Sequence, residues 1–398
     1  MKTQFSKIFS GSLLVAGTAI GAGMLALPVA TAECGFIPAV GLYVVCWLFM
    51  VLTGLLMLEV CLWLPKDSNM ISMSYHVLGT KGKMISWVLY LFLFYCLTIA
   101  YMAGGGGFIA SIFNGALSSR LSILLFTLIF APLVYVGARA VDKANMLLML
   151  GLGISYFAFV FLGYKNVQME MLARKDFSVA LFALPIVFTS FSYQGLIPSL
   201  TSYLHNHGNL VRKCIWIGTA IPLIIYIIWE ALILGIVPLD GSQGLLIAKQ
   251  QGQNAVFSLK EFVSSPWVYA IGQAFAFFAL TTSFLGVTLG LLDFLSDGLK
   301  IAKVGVKKLG LCAAVFAPPL FVASSNPSVF LTALSYAGGI GCALLLGVMP
   351  ILMVWTGRYK LGYGSKYAQI KGGKKLLVVL FVFVCIELVV ECVAEIMG

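Results

Sequence analysis

A run of about 20 apolar residues is long enough to cross the hydrocarbon core of a bilayer as a helix. This chain has eleven such runs, at 8–30, 36–64, 84–112, 121–137, 144–164, 178–203, 214–237, 267–295, 307–324, 328–356 and 375–396. In lipid the backbone has no water to bond with, so runs of this kind satisfy their amides as helices. The 398 residues are 61% hydrophobic and 10% charged, against about 25% charged in a soluble domain. The expected class is therefore all-α and integral to the membrane, with 11 transmembrane helices. The connections are short, the longest lying between the seventh and eighth runs, and none could hold a soluble domain. Met1 to Ala30 superficially resembles a signal peptide, with Lys2 and Lys7 ahead of an apolar run. That run exceeds an h-region of about 7–15 residues and is read as a retained span.

Orientation follows the distribution of Lys and Arg. With the N-terminus in the cytoplasm, nineteen of the 25 basic residues fall in inner segments and six in outer ones. The asymmetry supports the span count, and eleven spans place the C-terminus on the outer side. It also accounts for the net charge of +11 without a nucleic-acid partner. The nine cysteines show no metal-binding spacing, and most lie in apolar runs, where cysteine behaves as a small hydrophobe. No metal or cofactor is implied.

Two runs are interrupted. The first contains VAGTAIGAGMLALP (Val15 to Pro28), and the sixth contains FTSFSYQGLIPS (Phe188 to Ser199) with Pro185 just ahead. Glycine costs about 1 kcal/mol in a helix interior and proline about 3. Gly17, Gly21 and Gly23 in one run, and Gly195 and Pro198 in the other, are read as helix breaks. The breaks lie five spans apart. Five is odd, so a second block of five spans enters the membrane with the opposite orientation to the first. This is the inverted-repeat pattern of secondary transporters, whose discontinuous helices form a midplane binding site. The half-helix beginning near Ala22 and Gly23 would offer N–H groups to a carboxylate. The carbonyls near Ala16 to Ala19 would suit an ammonium or a cation. A zwitterionic amino acid fits such ends without a charged side chain, and neither run beyond Lys7 holds an Asp, Glu, Lys or Arg.

At these residues the chain resembles the hydroxy and aromatic amino acid permeases of bacteria, nearest to tyrosine permeases and next to tryptophan permeases. The likeness rests on GTAIGAGMLALP, FTSFSYQGLIPS, TTSFLGVTLGLLDFL (Thr281–Leu295) and LSYAGG (Leu334–Gly339), and extends over nearly the whole chain. It implies the leucine-transporter-type fold of the amino acid–polyamine–organocation superfamily. That fold is a 5+5 inverted repeat with broken helices 1 and 6 and one extra helix. The expected division is 1–165, 166–356, and a basic inner loop with the eleventh span at 357–398. The likeness also implies proton-driven uptake across the bacterial inner membrane. One departure stands out: the family pattern carries His where this chain has Gln194. Glutamine hydrogen-bonds but does not titrate near neutral pH.

The expected substrate site comprises Thr18, Ala19, Gly21, Ala22 and Gly23 at the first break, and Phe188, Thr189, Phe191, Gln194 and Gly195 at the second. Tyr101 on span 3 and Tyr336 on span 10 join them as aromatic walls. Gln194 is the candidate partner for a phenolic hydroxyl. Ser190 and Ser192 read equally well as hydroxyls bonded back to their own helix. The glycines of AGGGG (Ala103–Gly107) suit close helix packing more than substrate contact. Ala279, Thr282 and Ser283 share a face of span 8. In the resembled fold that face meets the carbonyls near Gly17 and Ile20 at an ion site.

Ionisable groups within spans are functional candidates by default. Glu59 lies near the inner end of span 2, within reach of water. Asp293 and Asp297 are expected to pair with nearby lysines. Glu230 falls about 24 Å along span 7 from Cys214, toward its outer half. Glu387, Glu391 and Glu395 line span 11, outside the repeat core. The sequence singles out none of them as a proton carrier. A channel should show a repeated polar filter, and an enzyme clustered His, Asp or Cys within the spans. The chain shows neither, so an enzyme is not expected. The expectation is an alternating-access importer of aromatic amino acids, tyrosine first, driven by protons. A sodium-coupled carrier, or one preferring tryptophan or phenylalanine, is the alternative. Its partners are the amino acid, the coupling proton or sodium, and the bilayer.

Overall fold

The computed structural model describes residues 2–65, 68–113, 116–263, 265–363 and 367–397. Lys66 and Lys366, counted among the inner charges, lie outside them. The described residues are all helix and connection. Ten helices are each long and apolar enough to cross a bilayer, and a bent pair at the N-terminus makes eleven. Span 1 is that pair: half-helix 1a (Lys2–Ala19) and half-helix 1b (Gly23–Thr31) meet at 56°. The others are Phe36–Trp63, Met70–Ile112, Ser119–Val136, Ala138–Asn166, Ala180–Tyr203, Gly208–Ile236, Pro266–Leu299, Gly305–Ser325, Phe330–Tyr359 and Gly373–Ile396, here spans 2 to 11.

Span 3 begins earlier than its apolar run. Its first turns bend away at Gly79, whose φ of 74° and ψ of −164° suit glycine alone. Asn69 starts this segment by accepting the Ser72 N–H at 2.9 Å. The long connection after span 7 is not open chain. It forms two short helices, Leu245–Gln250 and Ala255–Phe262, the second capped by Asn254.

Span 10 departs most from expectation. Between Phe330–Tyr336 and Met349–Tyr359 it winds as a π-helix over Ala337–Val348. Such wide turns often accompany functional sites. The stretch AGGIGCALLLGV is rich in small residues, which lets neighbours press close. A Cβ on Gly338 would meet Thr189 Oγ1 at 2.5 Å, one on Gly339 the Glu391 carboxyl carbon at 2.6 Å, and one on Gly347 Val384 at 2.9 Å.

Spans 1, 2, 3, 6, 7, 8 and 10 make the interior. Half-helix 1a packs on span 7, 1b on the first half of span 6, span 8 on spans 5 and 3, and span 2 on span 7. Spans 4, 5, 9 and 11 present their outer faces to lipid. Phe157, Phe161 and Phe321 there are about three-quarters exposed, as a bilayer-facing belt requires. Three of the span 3 glycines take the packing role: Gly104 faces Leu280 and Phe330, Gly105 faces Phe126, and Gly106 faces Ile123.

Buried charge is sparse: of Glu59, Glu230, Glu387 and Glu391, only Glu59 meets a cation among the described residues, and neither carboxyl oxygen of Glu387 is bonded. Glu59, expected to reach water, is fully buried and accepts Arg358 Nε of span 10 at 2.6 Å. The pair ties the N-terminal-face ends of spans 2 and 10. Asp293 pairs with Lys303 at 2.7 Å. Glu391 accepts the Ser335 hydroxyl at 2.9 Å. Glu230 is completely buried.

Candidate functional site

The two breaks meet in the middle of the molecule. Span 6 runs as half-helix 6a (Leu184–Ser190), a non-helical stretch from Phe191, a single turn at Gln194–Leu196, and half-helix 6b (Ile197–Tyr203). The break thus falls before Gly195 and Pro198, not at them. Pro185 and Pro198 lie in the first turns of their half-helices, where a missing N–H costs nothing. They start helices here and do not stop them.

Gly23 opens 1b directly against the end of 6a. A Cβ there would lie 2.9 Å from Ser190 Oγ and 3.1 Å from Ser190 Cα. Gly21 lies against span 8, where a Cβ would come within 2.5 Å of Ser283 Oγ. The glycines therefore serve close approach on two sides.

Both 1a and 6a end here with their carbonyls. These are the negative ends of two helix dipoles, and like ends need a donor between them. Tyr226 of span 7 supplies it. Its hydroxyl donates to the Ala19 carbonyl at 2.6 Å and lies 2.8 Å from the Ser190 carbonyl. One phenol thus bridges both broken helices. The start of 1b is held from span 8, where Ser283 Oγ accepts the Ala22 N–H at 3.0 Å. Tyr101 of span 3 lies beside Ser283, and Cys342 of the π-helix lies beside Tyr101 and Ser192. Phe191 packs edge-on against Tyr226, with ring centroids 5.0 Å apart, and against Tyr43 of span 2 at 6.2 Å.

The structure thus brings Ala19, Gly21, Ala22, Gly23, Tyr101, Phe191 and Ser283 into one neighbourhood. Sequence reasoning missed Tyr226, Ser190's carbonyl and Cys342. The one usable signal for Tyr226 was a hydroxyl within an otherwise aliphatic run.

Other expected residues point elsewhere. Gln194 turns to span 2. Its amide nitrogen donates to Thr53 Oγ1 at 3.1 Å and approaches the Met50 carbonyl at 3.4 Å, while its oxygen accepts the Tyr193 N–H at 3.0 Å. The side chain is fully buried and its bonding capacity is spent, so it braces the break instead of meeting a phenol. Gln194→Ala should accordingly lower tyrosine and phenylalanine uptake by the same factor, about fivefold for a lost bond of about 1 kcal/mol. Parallel uptake of the two labelled substrates checks this, and a selective loss for tyrosine would return Gln194 to the site.

Phe188 stacks on Phe49 of span 2 with centroids 5.2 Å apart and lies near Phe383 of span 11. Thr189 donates to the Leu334 carbonyl of span 10 at 2.7 Å. Tyr336 faces Glu391 and Glu395 of span 11. Gly195 is exposed, near the Tyr90 hydroxyl. Thr18 is exposed and bonds back to the Leu14 carbonyl at 2.8 Å. Phe188 and Thr189 are set by which way the seven-residue half-helix 6a faces.

The ion-site set is likewise divided. Thr282 donates within its own helix, to the Phe278 carbonyl at 2.8 Å with the Ala279 carbonyl at 3.1 Å. Gly17 faces Met149 of span 5. The Ile20 N–H continues helix 1a through the Ala16 carbonyl at 2.8 Å. Ile20 lies within the break, and Ser283 bonds to it through the Ala22 N–H.

A cavity of about 480 Å³ opens on the face opposite the N-terminus. It is lined by Gly104 and Gly107 of span 3, Gln251 and Asn254 of the span 7–8 connection, Tyr269 of span 8 and Ser328 ahead of span 10. Its floor is the glycine stretch immediately beyond Tyr101.

The sequence profile of the tryptophan/tyrosine permease family matches residues 4–391. "Tyrosine-specific transport system 2" of Haemophilus influenzae is 33% identical, covering 89% of this chain and 88% of the relative. "Tryptophan-specific transport protein" of the same organism is 30% identical over 96% of this chain and 95% of its own. Among solved structures, MhsT in complex with L-phenylalanine superposes with a TM-score of 0.68 at 13% identity, covering 96% of this chain and 97% of that one. A manganese transporter of Eremococcus coleocola superposes at 0.61 with 13% identity, covering 99% of this chain and 86% of that one. These likenesses give the fold, which is of the leucine-transporter type.

Proposed function

The chain belongs to the tryptophan/tyrosine permease family, and on that premise we propose that it imports aromatic amino acids by proton symport, with tyrosine preferred. It is a multi-pass membrane protein of a bacterial transporter family. In this reading it lies in the inner membrane with the N-terminus cytoplasmic and the C-terminus periplasmic. Residues 1–165 and 166–356 are the inverted repeats, and 357–398 carry the additional helix.

The observation that carries the reading is the junction at Tyr226. Two half-helices end there in carbonyls while a third begins beside them at Gly23. The carbonyl ends suit an α-ammonium and the start of 1b suits an α-carboxylate. Phe191 and Tyr101 supply an aromatic wall for the side chain. Hydroxyls of Tyr101 and Ser283 beside it favour a substrate with a phenol of its own. The relatives named for tyrosine and for tryptophan both agree with an aromatic substrate. The 480 Å³ cavity serves as the periplasmic approach.

Uptake of labelled tyrosine, tryptophan and phenylalanine into proteoliposomes, under imposed proton or sodium gradients, tests this. Tyrosine should accumulate on a proton gradient and be indifferent to replacement of sodium by choline. Collapse of uptake without sodium would overturn proton coupling. The ties around Ser283 and Thr282 add a related expectation. Thr282→Ala with Ser283→Ala should slow transport about fivefold, as expected from one lost bond to the Ala22 amide. The ion dependence should not change. A double mutant that loses a sodium response seen in the wild type would identify the pair as a sodium site.

A further inference from the structure

The protons around Glu230 can be counted. This carboxyl lies in the outer part of span 7, six residues before its end at Ile236, and is fully buried. One oxygen accepts the Tyr43 hydroxyl of span 2 at 2.7 Å. The other meets the hydroxyl of Thr31, the last residue of half-helix 1b. The same Thr31 hydroxyl lies 2.7 Å from the Leu27 carbonyl. A threonine has one proton to donate, and a carbonyl has none. If Glu230 were ionised, it too could only accept, and Thr31 would face two acceptors with a single hydrogen. The two close oxygen contacts would then have to share that one hydrogen, a weaker arrangement than one hydrogen for each. If Glu230 carries a proton, the chain closes. Glu230 donates to Thr31, Thr31 donates to Leu27, and Tyr43 donates to the second carboxyl oxygen.

The surroundings offer no substitute for that proton. Among the described residues no cation pairs with Glu230. Cys34 follows Thr31, and Arg174 and Asp176 lie near Cys34, where the Asp176 N–H donates to the Cys34 carbonyl at 2.8 Å. Glu33 is paired with Lys249, and Glu59 with Arg358 toward the other end of span 2. The other elements packed on span 7 carry Lys7, Arg139, Asp142, Lys143, Lys165, Glu170, Lys260 and Glu261, and none of these bonds to Glu230. Tyr156 of span 5 spends its hydroxyl on the Ile225 carbonyl at 3.0 Å.

Taking the proton-symport reading as its basis, we infer that Glu230 carries the coupling proton and that Thr31 transmits its charge state to half-helix 1b. In the state described here the carboxyl O–H is formed. On release that bond breaks, its electron pair stays on the oxygen, and the proton passes to a water molecule. Thr31 must then turn its single hydrogen from Leu27 to the carboxylate, which alters the end of 1b. Two contacts link this to the substrate. Tyr43 touches both Glu230 and Phe191. Tyr226, one turn before Glu230 on the same helical face, holds the end of 1a. Span 7 therefore grips both halves of span 1, one through a fixed phenol and one through a titrating acid.

The test uses Glu230→Gln in proteoliposomes, beside the wild type. Glutamine keeps the shape and removes the titration. Exchange of labelled for unlabelled tyrosine should stay within about threefold of wild type. Accumulation on a proton gradient should fall to the equilibrium level, and tyrosine-coupled proton uptake, read with an internal pH dye, should vanish. A variant that still accumulates tyrosine with its proton overturns the assignment. A wild type indifferent to protons overturns the symport reading and this inference with it. Should the glutamine variant fail to insert, Tyr43→Phe decides. Losing a donor to the carboxylate favours the neutral acid, so the pH profile of uptake should move to higher pH by about one unit. An unmoved profile overturns the inference.

Discussion

Gly23→Val should abolish uptake while the protein still inserts in the membrane. A Cβ at this position would lie 2.9 Å from Ser190 Oγ and 3.1 Å from Ser190 Cα. The serine side chain could turn away, but its backbone is fixed by the Tyr226 hydroxyl on its carbonyl. Valine adds two further carbons at the same place. Relief requires 1b and 6a to separate, which is overpacking worth about 1–3 kcal/mol to the folded protein. The fold survives such a cost. The junction does not, because the carboxylate-binding start of 1b is displaced from the carbonyl ends that would hold the ammonium. Labelled tyrosine uptake should drop at least about a hundredfold, in line with the steep dependence of binding on position. Size-exclusion behaviour in detergent should match wild type. Gly23→Ala should fall between, since its neighbours need yield only a few tenths of an ångström. Wild-type uptake by the valine variant would locate the site elsewhere.

Tyr226→Phe should lower the maximal uptake rate by about 10- to 100-fold. The ring and its edge contact with Phe191 at 5.0 Å remain. What disappears is the donor between the Ala19 and Ser190 carbonyls. Two buried acceptors at two negative dipole ends then face each other, at about 1–3 kcal/mol for an unmet group. Initial rates over a range of tyrosine concentrations measure the effect, with thermal melting as the control for folding. A wild-type rate would show that the phenol bridge has no part in transport.

The broken helices were legible because Gly21 and Gly23 are costly in lipid and their presence demands a reason. The mutual contacts of those breaks were not. Gln194, Phe188 and Tyr336 illustrate why. Helical periodicity assigns faces only while the phase is kept, at about 100° per residue. The non-helical stretch from Phe191 resets that phase ahead of Gln194, and the wide turns of Ala337–Val348 reset it after Tyr336. Phe188 belongs to a half-helix of seven residues, too short to show an apolar stripe. Tyr226 and Glu230 lie on a regular helix, and their position four apart was readable. Their partners come from spans 1, 2 and 6, and no local pattern names a partner across the bundle. Glu59 shows the same limit: its Arg358 is 299 positions away in the chain.

Spans 1 and 6 bring no Asp, Glu, Lys or Arg to the junction, and this has an electrical consequence. A zwitterion entering such a site adds no net charge, and the site contributes none to offset. In the one-proton reading each turnover therefore moves a single positive charge inward. At 100 mV, inside negative, that charge is worth about 2.3 kcal/mol, enough for about a 50-fold concentration ratio even with equal pH on the two sides. The membrane voltage alone would fill the cell, and an amino acid with a charged side chain would alter that driving force with every molecule carried.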